Sequence, residues 1–217
     1  MRSFRNPLLG LALLSAMPAV GSAQAGRLFE DSWFWGAKTG VMMYSTEAIE
    51  NAYAPVFGGE WLITRTRGAL YVAFDQAFFS ENSAIPDVLN TNGQRIVKID
   101  DMRRLTFAAL AFPKNYFGIR PYAGVGVSLN FIQEAIAQGT YVNASQQNDI
   151  AFDIEDQSTR ASPLIMIGVQ AQYARVSVFG QGTMMPAHSG FLINGRSTYF
   201  VEAGVRYNIG TSIERIH

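Results

Sequence analysis

The stretch RPYAGVGVSLNFIQE at 120–134 leaves little freedom for local structure. Every second residue from Pro121 is Pro121, Ala123, Val125, Val127, Leu129 and Phe131, while the other register includes Arg120, Tyr122, Gly124, Gly126, Ser128, Asn130 and Glu134. A period of two with one oily and one polar face is that of a β-strand between unlike environments. The fold therefore turns on whether the oily face meets a protein core or lipid.

The same alternation recurs in eight segments: 33–46, 57–66, 69–80, 102–112, 120–134, 161–174, 176–185 and 198–210. Most exceed the usual soluble strand of about 5–6 residues and suit a tilted crossing of a bilayer core. Segments two to four alternate less cleanly, because Gln76 falls in the apolar register and Leu62 and Leu110 in the polar one. The connections alternate in length. Those at 65–68, 113–118 and 173–175 are short, while those at 46–56, 81–101, 135–160 and 186–197 are long and hold Asp87, Asp100, Asp101, Asp149, Asp153, Glu155 and Asp156. The pattern predicts an all-β, eight-stranded antiparallel up-and-down transmembrane barrel, with short periplasmic turns, long extracellular loops and both termini in the periplasm.

Arg2 and Arg5, the apolar run 8–20 and Ala23-Gln24-Ala25 form a secretory signal peptide over 1–25, leaving 26–217 as one barrel domain. The signal holds two of the 17 basic residues and none of the 17 acidic ones, so the remainder has a net charge of −2. That balance gives no footprint for nucleic acid. There is no cysteine, so stability must come from backbone pairing and burial. After the signal no apolar run reaches the length of a transmembrane helix, which leaves strands as the means of crossing.

Across the segments the polar register gathers Lys38, Glu60, Asp75, Arg104, Arg120, Glu202 and Arg206, with Ser128, Asn130, Gln170, Gln172, Gln181 and Asn208. In a barrel closed in lipid these groups line the lumen and pair there as a charge network, filling a space only as wide as side chains. The opposite register turns Val125, Val127, Leu129, Phe131, Ile165, Ile167, Val169, Val201 and Val205 to lipid. Trp33, Trp35, Tyr173 and Tyr207, with Phe112, Tyr116 and Phe117, fall near the periplasmic ends, and Phe78 and Phe131 nearer the other. Amphipathic rings suit the headgroup level, so Trp33, Trp35, Tyr173 and Tyr207 are expected at the interface.

The signal peptide, the eight strands and segments such as PYAGVGVSLNF and YFVEAGVRYNIG resemble the small outer-membrane β-barrels of the OmpA, OmpX and OmpW type. The resemblance implies a bacterial outer-membrane location, contact with outer-membrane lipid and lipopolysaccharide, and insertion by the barrel-assembly machinery through the last strand. The chain departs from those barrels in its ending, because Thr211 to His217 follow YNIG where an aromatic residue is usual. His188-Ser189 with Glu202 is similar to the His, Ser and Glu of lipid A deacylases, but adjacent His and Ser in an extended chain point opposite ways. With two histidines the sequence has no His-rich metal site and calls for no cofactor. The expected function is a structural or surface barrel with a filled lumen and no catalysis. The alternatives are OmpW-like passage of small apolar solutes, a lipid A-modifying hydrolase and a soluble lipocalin-like carrier.

Overall fold

The computed structural model describes residues 29–113, 118–193 and 195–211. The signal peptide, Tyr116, Phe117 and the tail after Thr211 lie outside them. Eight strands follow in chain order: β1 Ser32–Tyr44, β2 Ala52–Thr64, β3 Gly68–Pro86, β4 Gln94–Ala111, β5 Ile119–Ala137, β6 Thr159–Tyr173, β7 Val176–Met185 and β8 Thr198–Thr211. Each pairs antiparallel with the next, and β8 pairs with β1 to close an up-and-down barrel. No described helix is long and apolar enough to cross a membrane.

The tight ends follow from local chemistry. Between β2 and β3, Arg65 N donates to Gly68 O at 2.7 Å. Between β6 and β7 a two-residue turn holds Ala174 at φ 51. Inside, the wall is thinned where strands crowd: a Cβ on Gly40 would lie 2.1 Å from Val201 O, and one on Gly126 2.1 Å from Phe107 O. Only glycine fits those two inward positions.

Two features depart from the sequence expectations. The stretch 81–101, read as a loop, is mostly strand: β3 and β4 continue pairing from Ser80↔Asp100 to Pro86↔Gln94. A bulge makes this possible, with Asp101 at φ 53 and its Oδ1 accepting from Phe79 N at 3.1 Å. Above the bulge the hairpin stands outside the apolar belt, so its polar composition is compatible with pairing, and it tightens to a short loop closed by Asp87 N to Gly93 O at 2.9 Å. The second departure is a helix inside 135–160, α1 Ala144–Ser158, capped by Asn143 Oδ1 accepting from Gln146 N at 2.8 Å. The irregular registers of the middle strands are as the sequence places them: Leu62 and Leu110 point inward and are buried, and Gln76 points outward and accepts from Arg103 Nε at 3.1 Å.

Above the membrane-sized barrel, β3, β4 and β5 rise as a three-stranded extension. Its inner face (Ile85, Val97, Ile99, Ile132) packs with Ile150 and Ile154 of α1 and with Phe191, Leu192 and Ile193 of the last long connection. That connection is tied down by Ser83 Oγ to Leu192 O at 2.6 Å and Leu192 N to Gln157 O at 3.1 Å. The result is an apolar cap over the extracellular mouth. At the other mouth Phe29 packs on Phe112 at 4.9 Å between ring centres, and Phe112 on Tyr122 at 5.3 Å. Phe112, expected near the interface, turns inward instead and is buried.

Candidate functional site

Between these two plugs lies the charged lumen. Lys38 comes from β1, Asp75 from β3, Arg104 from β4 and Glu202 from β8, each brought inward by the parity of its strand. They form a closed ring of alternating charge. Lys38 Nζ lies 2.9 Å from Asp75 Oδ1 and 2.9 Å from Glu202 Oε1, and Arg104 Nη2 lies 2.6 Å from Asp75 Oδ2 and 2.9 Å from Glu202 Oε1. The Arg104 guanidinium also rests 3.5 Å over the Phe200 ring.

A second unit lies beside the first. Arg206 pairs with Glu60, donates to Gln170 Oε1 at 2.6 Å and sits 3.8 Å over Phe179. Tyr71 joins the two units, donating to Glu60 Oε2 at 3.0 Å and accepting from Lys38 Nζ at 3.0 Å. Gln181 Nε2 adds links to Tyr71 OH and Glu202 Oε2, each at 3.1 Å. Three cations and three anions therefore share one hydrogen-bonded network with almost no exposure. Arg120 is set apart, its guanidinium 4.0 Å over the Phe29 ring in the lower plug. The sequence reading missed Tyr71 and Tyr122 as network members, although both occupy the inward register.

Apart from Thr39 and the Gln76–Arg103 pair, the outward register through the belt is apolar. Val125, Val127, Phe131, Ile165, Ile167, Val169, Val201 and Val205 are exposed and Leu129 is half-buried. Lower down, Trp61, Trp35 and Tyr207 are successive partners across β2, β1 and β8, and Tyr207 leads through Val176 to Tyr173. Trp33 and Trp35 flank Trp61 at 5.3 and 6.1 Å between ring centres. Trp61, missed in the sequence reading, is thus the middle of an aromatic cluster. Toward the other end Tyr53, Met43 and Tyr199 are partners across β2, β1 and β8.

Among the described residues, His188, Ser189 and Glu202 do not assemble a hydrolase triad. His188 Nε2 contacts Arg160 and its Nδ1 accepts from Gly190 N at 3.1 Å, while Glu202 is committed to Lys38 and Arg104 in the lumen. The polarity is also the inverse of a soluble calyx: charge lies within and bulky apolar groups lie without. Among the described residues no group of three or more His, Cys, Asp or Glu is placed to hold a metal ion.

A closed barrel with a charged interior, an apolar belt and aromatic rings at both ends of that belt is a membrane-spanning β-barrel of the small outer-membrane class. No protein-family model matches the sequence, and no curated protein matches it. Among solved structures, the chain is similar to Neisserial surface protein A, NspA, with a TM-score of 0.55 and 11% identity over 82% of this chain and 97% of that one. It also aligns with the N-terminal β-barrel domain of Pseudomonas aeruginosa OprF (TM-score 0.49, 9% identity, 83% and 98% covered). A third alignment is with Ail, the attachment invasion locus protein of Yersinia pestis (0.47, 8%, 82% and 99%). At such identities the likeness to NspA is one of fold.

Proposed function

We propose that this chain is a non-conducting outer-membrane barrel with a structural and surface role and no catalytic activity. The observation that carries this reading is the ring Lys38–Asp75–Arg104–Glu202, which joins strands from opposite sides of the wall and leaves no side chain free to swing aside without breaking ion pairs. An eight-stranded barrel is only wide enough for its own side chains, so such a ring obstructs it. The aromatic plug below and the apolar cap above support the same reading. Outside, the valine and isoleucine face meets outer-membrane lipid and lipopolysaccharide, with Trp33, Trp35, Tyr173 and Tyr207 at the periplasmic interface. The last strand, β8, is the segment offered to the barrel-assembly machinery.

The test is direct. The protein should fractionate with outer membranes, change apparent size on gels between unboiled and boiled samples, and give no steady current in planar bilayers. A stable open channel would overturn the filled-lumen reading, and recovery as a soluble periplasmic protein would overturn the membrane one.

A further inference from the structure

Just above the extracellular aromatic ring the wall carries a hollow of about 520 Å³ between the β1–β2 connection and the start of β8. Its lower edge is Tyr53, Met43 and Tyr199, side by side across three strands and all facing outward. Its upper edge is Arg196 and Ser197 on one side and Asn51 on the other. The volume lies within the range of about 300–1,000 Å³ usual for small-molecule sites.

The walls are built rather than incidental. Gly195 N donates to Ser45 O at 3.1 Å, clasping the end of the β7–β8 connection, which carries Arg196, to the facing β1–β2 connection. A Cβ on Gly195 would lie 2.7 Å from Thr46 O, so only glycine allows this approach. The opposite wall turns sharply at Asn51, φ 58, whose N donates to Ser45 Oγ at 3.4 Å.

The lining chemistry is one guanidinium, three tyrosines, two serines and an asparagine, with Met43 and Ala52 as its aliphatic members. Arg196 meets one carboxylate, Glu50, at 3.7 Å, and both side chains are largely exposed, at 62% and 79%. An exposed pair of that length contributes little, so a better anion displaces Glu50 from Arg196. A guanidinium fork suits a phosphate bidentately, and tyrosine hydroxyls donate to its remaining oxygens. The hollow stands at headgroup level with apolar strand surface directly beneath, which matches a ligand that is anionic above and hydrocarbon below.

We propose that this hollow binds the phosphate-bearing headgroup of an outer-leaflet glycolipid, with Arg196 on the phosphate, Tyr53 and Tyr199 on the adjoining sugar, and acyl chains running down past Met43. The proposal rests on the outer-membrane reading above and names one lipid contact within it.

The experiment uses the detergent-refolded full barrel and lipid A, its dephosphorylated form, and glucosamine 1-phosphate as probes, with binding read by native mass spectrometry. Wild type should hold lipid A about tenfold more tightly than the dephosphorylated form, the value of one charge-assisted contact. Arg196→Gln should lose that discrimination. Glu50→Gln should bind lipid A several-fold more tightly, because the competing carboxylate is gone. Gly195→Val keeps every charge yet should weaken binding by moving Arg196. The sugar phosphate alone should not bind in the same concentration range. Lipid A affinity unchanged in Arg196→Gln, or equal affinity for glucosamine 1-phosphate, would overturn the site. Gel heat-modifiability and vesicle insertion of the same samples separate the two failures, because a barrel that inserts but ignores Arg196 refutes the site and leaves the membrane reading standing.

Discussion

Replacing Glu60 by alanine tests whether the lumen is dry. In the intact barrel Arg206 has no exposure and its ion pair is with Glu60, which is itself buried. Removing the carboxylate strands a guanidinium between β8 and the far wall, and breaking a buried pair from one side costs about 3–5 kcal/mol. Arg206 keeps hydrogen bonds to Gln170 at 2.6 Å and Gln181 at 3.4 Å and its place over Phe179, contacts that offset about 1–2 kcal/mol. Tyr71 OH loses its acceptor Oε2 as well, adding about 1 kcal/mol back. The expected loss is therefore about 3 kcal/mol, and Glu60→Met/Arg206→Met should recover most of it because neither charge remains. Urea unfolding from lipid vesicles, followed by tryptophan fluorescence and gel mobility, measures both variants and the coupling between them. A single-mutant cost below about 1 kcal/mol is what a water-filled lumen would give, and it would refute the reasoning.

Val127→Arg places a cation on the outward face beside Phe107 and should cost about 2–4 kcal/mol in vesicles. A spin label at Val127 should be quenched from the lipid phase, while one at Ser128, which is fully buried and donates to Met185 Sδ at 2.9 Å, should not. At the cap, the Gln146 amide and then Arg95 hold the Asp87 carboxyl below its usual range. A depressed value means the clasp on α1 is complete above about pH 4 and weakens as pH falls through the lowered value. The Gln146 side-chain amide resonance should report that loss, and Asp87→Asn should abolish its pH dependence. Gly126→Val should prevent native folding, since its first new carbon meets Phe107 O at 2.1 Å, and absence of the heat-modifiable gel band reports it.

The parity of the strands was legible because lipid makes a one-residue slip expensive: each outward position from Val125 to Val205 had to be apolar and each inward charge had to be shielded. Where that pressure ends, the pattern ends with it. Above the bulge at Asp101 both faces of the β3–β4 hairpin lie outside the belt, so strand and loop carry similar polar residues and the extension of β3 to Pro86 left no alternation to detect. The helix α1 was hidden for a related reason. It buries only Gln146, Ile150 and Ile154, a stripe at a spacing of four that is short against the Asn, Gln and Asp around it. The N-cap Asn143, three residues before Gln146, was the one local signal available.

Which cation meets which anion was not legible, because it depends on closure. Arg104 and Glu202 are 98 residues apart and touch only when β8 has met β1. That dependence also gives the lumen its redundancy. The aromatic plug rests on β1, β5 and residues at the periplasmic turns, the ring on β1, β3, β4 and β8, and the cap on α1 and the extracellular extension, so the three obstructions share few side chains. Glu60→Ala removes one link of the middle layer and leaves Phe29, Phe112 and the isoleucines of the cap in place. It should therefore lower stability without opening a current, and a conducting Glu60→Ala barrel would mean that the layers above and below do not seal.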